Sequence, residues 1–309
     1  MTGESVAAVA ITFQRRDLLR QTLQSLLAQE RPFDEIIVVD NASSDGTAAM
    51  LGAEFPGVTH LRMGQNLGPA GALHVGLGHA YARGHRWAWT TGDDYVAKPE
   101  TLRVVLDAAQ RIGDDRLGIL GCWFVPTPNH VIHTGALWRH RPVDQPKPSV
   151  GSPAYQSDIM AFKGTLIALD MVPAIGLPRE QYFLMNEEYE YCLRAIRGGR
   201  RHYILPVPLL QSLENGSPVR YPPWRGYYQT RNHLAMALDH RSPPELLWWA
   251  IMQAKYIGAA ALTGRGSWER IRLRLCGAWH GFRGVSGRTL DPALWGAQPA
   301  VSSSGEPGS

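Results

Sequence analysis

Short apolar runs alternate with amphipathic segments along the first part of the chain. The segment after the first run has leucines at helical spacing, and one apolar helix face is predicted from Leu19, Leu23, Leu26 and Leu27. Each continuous apolar run predicts a buried strand. The four runs are VAAVAIT (6–12), EIIVVD (35–40), VTHLRM (58–63) and RWAWTT (86–91). Strands and helices in alternation predict an α/β fold with a mostly parallel, doubly wound sheet.

The second half of the chain alternates less regularly. A mixed or antiparallel part of the sheet is predicted from LGILGCWFV (117–125), HVIHTGALW (130–138) and DIMAFKGTLIAL (158–169). The later segment FLMNEEYEYCLRAIRGG (183–199) predicts a helix that has Asn186 as its N-cap and ends at Gly198–Gly199.

Polar side chains follow three of the predicted strands. Asp40 ends the second strand, Asn66 follows the third, and Asp93 and Asp94 follow the fourth. Ligands of doubly wound sheets bind beyond the carboxyl ends of the strands, so these side chains are expected along one edge. Two adjacent carboxylates there fit a hard divalent cation that prefers oxygen ligands, and a solvated turn is the alternative reading.

Several common site motifs are absent. The first strand-to-helix turn, TFQRRD, has no glycine, so nicotinamide or flavin binding through G-x-G-x-x-G is not expected. A P-loop and a G-x-S-x-G elbow are absent from the sequence as well. Instead Glu187, Glu188 and Glu190 open a predicted helix, whose positive end helps to keep a carboxylate ionised. Such a carboxylate can accept a proton from an attacking hydroxyl, although exposed acids at helix starts are common.

Composition and charge are those of an ordinary globular protein. The 309 residues are 44% hydrophobic and carry a formal net charge of +4, which suits two domains or one large α/β domain with an appendage. The three cysteines lie far apart, which argues against a disulfide scaffold or a cysteine zinc site and fits a reducing compartment. No basic segment leads into a long apolar stretch at the start, so no signal peptide is expected.

The last part of the chain carries an apolar segment and a basic one. The segment 245–262 is near the minimum length of a membrane span, but Glu245 and Lys255 interrupt it, which favours a buried or interfacial helix. Residues 263–288 are rich in arginine and hold a single acid. This basic stretch is compatible with an anionic lipid surface, with a polyphosphate, and equally with a solvated face.

Seven stretches together resemble the family 2 inverting glycosyltransferases with the GT-A fold, over roughly residues 5–235. They are VAITFQRRDLLRQTLQSLLAQ, DEIIVVDNASSDGT, NLGPAGALHVGL, WAWTTGDDYVAKPETL, FKGTLIAL, FLMNEEYEYCLRA and RGYYQTRN. The third and seventh are similar to a branch with bacterial rhamnosyltransferases and galactofuranosyltransferases. The resemblance implies transfer, with inversion, from a dTDP-rhamnose or UDP-galactofuranose class donor to an acceptor hydroxyl, in cell-surface glycan or glycosylated metabolite synthesis.

The resemblance also implies a role for each matching position. Glu188 would be the catalytic base. A divalent cation, Mg²⁺ or Mn²⁺, would be held by Asp93 and Asp94 and would neutralise the leaving diphosphate. The donor would be bound by Thr12, Phe13, Arg15, Asp40, Asn66, Gly68, Gly71 and Asp93. The acceptor side would be formed by Gly164, Glu187, Glu190, Trp224, Tyr228 and Arg231.

Two positions depart from the family pattern. Many relatives have three consecutive aspartates, and here the first is Gly92; many also have a histidine after the strand matching YILPVPLL, and none stands in LLQSLENGS. These departures leave weak or absent metal binding open, and they favour the alternative of a non-catalytic nucleotide- or carbohydrate-binding protein with a degenerate site. A sugar-phosphate nucleotidyltransferase is disfavoured because TFQRRD is not a Gly-rich basic loop. Nucleic-acid binding is not expected, since no known motif accompanies the arginines.

The predicted organisation has three parts. Residues 1–240 form the GT-A domain, with a nucleotide-binding half to about residue 115 and an acceptor half over 116–240. Residues 241–290 form a helical basic extension, and 291–309 a disordered tail. The predicted location is cytoplasmic, with peripheral contact at the inner face of the membrane left open by the extension. Predicted partners are the nucleotide-sugar donor and a glycan, lipid-linked or small-molecule acceptor.

Overall fold

The computed structural model describes residues 4–124, 154–213, 222–262 and 267–290. Within these ranges the strands are β1 (Val6–Thr12), β2 (Glu35–Asp40), β3 (Thr59–Arg62), β4 (Trp87–Gly92), β5 (Tyr95–Ala97), β6 (Leu117–Phe124), β7 (Tyr155–Ser157), β8 (Thr165–Ala168) and β9 (Arg201–Ser212). The helices are α1 (Arg16–Leu27), α2 (Thr47–Glu54), α3 (Gly68–Ala82), α4 (Thr101–Ile112), α5 (Val172–Ile175), α6 (Glu187–Arg197), α7 (Pro223–Asp239), α8 (Pro243–Leu262) and α9 (Ser267–Phe282). The strand predicted at 130–138 and the tail predicted at 291–309 lie outside the described residues.

All of these strands belong to one sheet, in the order β3-β2-β1-β4-β8-β6-β9-β5, with β7 pairing β9. The strands β1 to β4 pair in parallel, whereas β8 runs antiparallel to both β4 and β6, and β5 and β7 run antiparallel to β9. The predicted α/β fold is confirmed. In the second half of the chain β6 and β9 also pair in parallel, and the antiparallel strands β5, β7 and β8 make the sheet as a whole mixed.

The register of the parallel strands aligns their carboxyl ends. Thr12 on β1 lies opposite Asp40 on β2, and Ile11 lies opposite Gly92 on β4. The side chains that follow these strands therefore meet at one edge, as the sequence predicted, because parallel strands in register end together.

The apolar face predicted for helix α1 is confirmed at three of its four leucines and is wrong at the fourth. Leu19, Leu23 and Leu26 are buried against the sheet, but Leu27 is 57% exposed. Leu27 is the last helical residue and is rotated by about 100° from Leu26, which takes it off the buried face. Only the three-leucine stripe therefore packs.

The segment predicted as a strand at 158–169 is mostly irregular. Its extended strand is β8 near the end, apart from a single bridge residue at Ile159, and Gly164 just before β8 has a positive φ of +67°. An added Cβ at Gly164 would lie 2.5 Å from Leu210 Cδ1, so the bend brings the backbone close to β9. The irregular part places residues 162–164 beside the end of β4, because the Gly164 amide donates to the Thr90 carbonyl at 2.8 Å.

Helices α7, α8 and α9 pack on one another, and Met236 on α7 also packs against Ala70 and Leu193. Tyr189 on α6 donates to the buried carboxylate of Glu245 on α8 at 2.8 Å. Arg274 on α9 donates to Thr230 on α7 at 3.2 Å and to Gln253 on α8 at 3.1 Å. Among the described helices, none combines the length and the apolar composition that crossing a bilayer requires. The division of the chain at residue 240 stays a prediction.

Candidate functional site

The acidic pair lies at the shared edge of β1 and β4. The Thr12 hydroxyl donates to Asp93 Oδ2 at 2.8 Å, and the Phe13 amide lies 3.4 Å from the same oxygen. Arg15 Nη1 lies 3.5 Å from Asp93 Oδ1 and 3.6 Å from Asp94 Oδ2. Both carboxylates therefore converge on one cationic group, supplied here by the turn between β1 and α1.

Burial sets the electrostatics of this pair. It raises the pKa of Asp93 to about 6, against the opposing effects of the Arg15 guanidinium and the Thr12 hydroxyl, while the charge of Asp94 raises it further. A buried carboxylate with a raised pKa gains from a nearby cation, because a cation favours its ionised form. The site is thus built to receive positive charge.

One carboxylate oxygen of Asp40 is available to accept a hydrogen bond at the same edge. Its Oδ1 accepts from the Ser43 amide at 2.8 Å, which stabilises the turn after β2. Its Oδ2 is buried with no hydrogen-bond partner among the described residues, and His60 Nε2 lies 3.5 Å away. Phe13, whose side chain is 41% exposed, lies one residue beyond Thr12, the register partner of Asp40. An acceptor and an exposed ring in this position suit a flat heterocycle that carries N–H donors.

The start of α3 is packed so tightly that glycine is needed there. Gly68 has a φ of +70°, and a Cβ added to it would overlap the Phe183 carbonyl oxygen. The Gly68 amide donates to Asn66 Oδ1 at 2.8 Å, so Asn66 shapes the turn into the helix. At Gly71 an added Cβ would overlap the side chain of Leu67. The predicted donor residues Asn66, Gly68 and Gly71 therefore build one compact turn against the loop that precedes α6.

That loop is strained and is held from α7. Phe183, Met185 and Asn186 have φ values of +61°, +72° and +67°, a region that non-glycine residues seldom occupy. Asn186 stands at the N-cap of α6 as predicted, but its side chain makes no capping bond. Asn232 Nδ2 lies 2.8 Å from the carbonyls of both Leu184 and Met185, which offsets the strain with hydrogen bonds.

Two carboxylates emerge from this loop at the start of α6. Glu187 is buried, and its Oε2 has no hydrogen-bond partner among the described residues. Glu188 Oε1 accepts from the Phe162 amide at 3.0 Å. Burial raises the pKa of both carboxyls, and the charge of Glu188 raises the pKa of Glu187 further. Two acids so close together favour one shared proton, a property common to acid–base sites.

Other predicted acceptor residues have structural partners. Glu190 is fully buried and forms ion pairs with Arg194 at 2.8 Å and Arg179 at 3.3 Å. Arg231 is also buried and donates to the carbonyls of Gly287 at 2.7 Å and Tyr182 at 3.1 Å.

Trp224 and Tyr228, the two aromatic residues predicted on the acceptor side, lie near the C-terminal end of the described chain. The hydroxyl of Tyr228 donates to the Leu290 carbonyl at 2.8 Å, and the ring of Trp224 lies edge-on to it. These residues join α7 to the segment after α9. Their predicted contact with an acceptor stays a prediction.

One charged residue in this region was missed by the sequence reasoning. Lys163 lies between Phe162, which binds Glu188, and Gly164, which binds Thr90 on β4. Its position in the FKGTLIAL stretch was visible, but no local pattern distinguishes an inward-facing lysine from a solvated one.

Comparison with known proteins places the chain among sugar transferases. The family described as glycosyl transferase family 2 matches residues 8–130. The galactofuranosyltransferase GlfT1 of Mycobacterium tuberculosis is 32% identical over 202 residues, which span 63% of this chain and 66% of that protein. GlfT1 of Mycolicibacterium smegmatis is 30% identical over 205 residues, which span 63% of this chain and 67% of that protein. The chain belongs to glycosyl transferase family 2.

Another relative of this family 2 chain aligns over more of its length. The dTDP-rhamnosyl transferase RfbF of Shigella flexneri is 19% identical over 296 residues, which span 92% of this chain and 98% of that protein. The resemblance to a branch that contains rhamnosyl- and galactofuranosyltransferases is thereby confirmed. The match to GlfT1 of M. tuberculosis spans about two thirds of that protein's length.

Solved structures share the fold of this family 2 chain. Residues 1–349 of S. aureus TarS, in complex with UDP-GlcNAc, align with a TM-score of 0.61 at 15% identity, covering 90% of this chain and 81% of that one. The mannosyltransferase PcManGT from Pyrobaculum calidifontis, in complex with GDP-Man and Mn²⁺, aligns with a TM-score of 0.57 at 16% identity, covering 90% and 86%. The GT-A fold expected from the sequence is confirmed.

The side chains of the family 2 site can be compared with the ligands that a divalent cation needs. Within the described ranges, no group of three or more His, Cys, Asp or Glu side chains forms a metal site. Asp93 and Asp94 nevertheless provide carboxylate oxygens that converge on one cationic group, the Arg15 guanidinium, and these oxygens would hold a divalent cation. Mg²⁺ is commonly held by one or two carboxylates plus water and substrate phosphate oxygens. The residues present therefore fit a two-carboxylate site that the donor itself completes.

Proposed function

We propose that this protein transfers a glycosyl group from a nucleoside-diphosphate sugar to an acceptor hydroxyl, with inversion at the anomeric carbon. The proposal is carried by one observation: Asp93 and Asp94 at the end of β4 and Glu188 at the start of α6 are joined through residues 162–164. A cation-binding edge and a carboxylate base on the two sides of one site are what a single displacement needs.

The donor would lie along the edge formed by β1, β2 and the start of α3. Asp40 Oδ2 is available to accept from the base, and Phe13 is exposed for contact with its ring. The compact turn at Gly68 would let the ribose and phosphates approach the backbone. A divalent cation held by Asp93 and Asp94 would supply charge neutralisation for the leaving diphosphate.

The base would act from the opposite side of the sugar. Glu188 would take the proton of the acceptor hydroxyl as its oxygen bonds to the anomeric carbon and the bond to the diphosphate oxygen breaks. The new bond forms on the face opposite the leaving group, which gives inversion. We take UDP-galactofuranose as the leading donor, supported by the 32% identity with GlfT1, and dTDP-rhamnose as the second, supported by the full-length match with RfbF.

The test of this function uses both donors and a matched pair of variants. Purified protein is incubated with UDP-galactofuranose or dTDP-rhamnose and an acceptor glycan, with and without Mn²⁺. Glu188→Gln is expected to lower kcat by about 10²–10⁴-fold while nucleotide binding by calorimetry is retained. Glu180→Gln, an exposed acid just before the same loop, serves as the control and should keep full activity.

The outcomes separate the competing functions. A product whose anomeric configuration is retained would contradict the single displacement. Unchanged turnover in Glu188→Gln would remove Glu188 as the base. Nucleotide binding without transfer to any acceptor would favour a non-catalytic binding protein with a degenerate site.

We also propose that the outer face of α9 contacts an anionic membrane surface. The exposed side chains of Trp268, Trp279 and Phe282 are 72%, 58% and 69% accessible, and they recur at helical spacing. Arg272 and Arg283 are exposed on the same helix and its end. Aromatic rings beside arginines are typical of helices that lie in the interface of anionic lipids.

Vesicle co-sedimentation tests this contact. Wild-type protein is expected to bind phosphatidylglycerol-rich vesicles and not phosphatidylcholine vesicles, because the arginines need anionic head groups. Trp279→Ala with Phe282→Ala should weaken binding at least about tenfold, since it removes two inserted rings. Leu238→Ala, an exposed apolar residue on α7, is the control. Equal binding of both variants would contradict the assignment of this face.

A further inference from the structure

Residues 162–164 connect the two acidic parts of the site. The Phe162 amide donates to Glu188 Oε1 at 3.0 Å, and the Gly164 amide donates to the Thr90 carbonyl at 2.8 Å. Thr90 lies on β4, just before the acidic pair. Lys163, between the two anchored amides, is therefore fixed by its backbone between the acidic edge and the carboxylate at the start of α6.

The side chain of Lys163 is held as well. It is half-buried, and its Nζ donates to the Tyr95 hydroxyl at 3.2 Å and lies 5.0 Å from the centre of the Tyr95 ring. Tyr95 is buried and directly follows the acidic pair on β5. A lysine that packs over an aromatic ring is restricted in direction, so the ammonium of Lys163 stays beside Tyr95, the residue that follows the acidic pair.

Three groups favour the charged form of this lysine. Burial lowers the pKa of Lys163, but Tyr95, Asp94 and Glu188 outweigh burial, and the net pKa is raised. The ammonium therefore persists across the physiological range as a fixed positive charge. Two of the groups that favour it, Asp94 and Glu188, belong to the two acidic parts of the site.

A positive charge near Glu188 favours its ionised form. Burial raises its pKa, while the Phe162 amide and the Lys163 ammonium lower it. The other titratable groups that interact with it lie on α6: Glu187, whose pKa the charge of Glu188 raises, and the buried thiol of Cys192. The ammonium of Lys163 lowers the pKa of both Glu188 and Glu187, and Arg225 also lowers that of Glu187.

We propose that Lys163 is a positioning residue whose ammonium, fixed by residues 162–164 and by Tyr95, keeps Glu188 in its base form. This inference rests on the proposed role of Glu188. Lys163 acts through Glu188, which is hydrogen-bonded to the same segment by the Phe162 amide.

The first test is the pH dependence of turnover in charge-removing and charge-keeping variants. Lys163→Met, or Lys163→Gln if the methionine variant does not fold, should move the acidic limb of the kcat profile upward by about one pH unit. Turnover should then fall about tenfold at the acidic end, with little loss at the alkaline end. Lys163→Arg should restore the wild-type limb. Tyr95→Phe keeps the ammonium and should leave the limb in place.

A uniform loss of kcat at every pH in Lys163→Met would overturn the inference, because that result indicates a packing role. The inference would also be overturned if Lys163→Arg shifted the acidic limb of the kcat profile as Lys163→Met does.

The second test needs no turnover and separates this inference from the proposed function. Protein labelled with ¹³C at the glutamate carboxyls is titrated by NMR, and the Glu188 signal is identified by its loss in Glu188→Gln. In Lys163→Met the midpoint of that signal is expected about one pH unit higher than in the wild type. An unchanged midpoint refutes the role of Lys163 whether or not the protein transfers sugar. A shifted midpoint in a protein without transferase activity leaves the electrostatic pairing in place and refutes only the proposed function.

Discussion

The turn at Gly68 allows a prediction in which two energetic effects are measured separately. Gly68→Ala would place a Cβ on a residue with a φ of +70° and against the Phe183 carbonyl, whose carbon lies 2.8 Å away. The left-handed conformation costs an L-residue about 1–2 kcal/mol. Displacement of the Phe183 carbonyl adds about 1–3 kcal/mol, the usual cost of an overpacked contact. We expect a loss of about 2–5 kcal/mol in the free energy of unfolding.

Two glycines of the same chain serve as matched controls. Gly84 has a φ of +79° with no atom within 4 Å of an added Cβ, so Gly84→Ala should show the backbone cost alone. Gly52, in α2, has neither a positive φ nor a close neighbour, so Gly52→Ala should stabilise the protein by about 0.5–1 kcal/mol through helix propensity. Urea denaturation of the three variants gives the three free energies.

The order of the three free energies separates the backbone cost from the contact with Phe183. If Gly68→Ala loses no more stability than Gly84→Ala, that contact does not constrain the turn, and the expected overpacking is refuted. Because Phe183 begins the strained loop before α6, Gly68→Ala should also lower turnover.

Two further predictions concern groups that hold the site from outside. Glu190→Gln removes a buried carboxylate from Arg194 and should destabilise the protein by about 3–5 kcal/mol at neutral pH. Hydrogen bonds from His240 and Arg194 and the charges of Arg194 and Arg179 outweigh burial and lower the pKa of Glu190. Its stabilisation is therefore present above the unfolded pKa and is lost as pH falls through the lowered folded value, so the stability difference between the two proteins should begin to shrink below about pH 4. Asn232→Ala leaves the carbonyls of the strained loop without a donor and should cost about 2–4 kcal/mol, with a fall in kcat and an unchanged Kd for UDP in calorimetry. A parallel rise in Kd would show that Asn232 supports the donor side instead.

The parallel half of the sheet was predictable because its signals are local. Continuous apolar runs define β1 and β2, and the polar residue that ends each run marks the carboxyl edge. Since parallel strands in register end together, the apolar runs were enough to place Asp40 and Asp93 at one edge, where Thr12 pairs with Asp40 in the register and donates to Asp93. The acids at the start of α6 were also visible from the helix pattern.

The mixed half depends on pairings between distant segments. The antiparallel insertion of β8 between β4 and β6 joins residues far apart in sequence, and no local period encodes it.

By itself, the sequence determined the α/β class, the edge at which the acidic pair lies and the family to which the chain belongs. These properties follow from local periodicity and from contiguous motifs. Only the tertiary structure decided which charged side chains interact: Glu190 pairs with Arg179 and Arg194, and the ammonium of Lys163 lies on Tyr95, where the charges of Asp94 and Glu188 raise its pKa. The physical reason is that the charge state of a buried group depends on its burial and on neighbours from other segments, and both are properties of the folded chain.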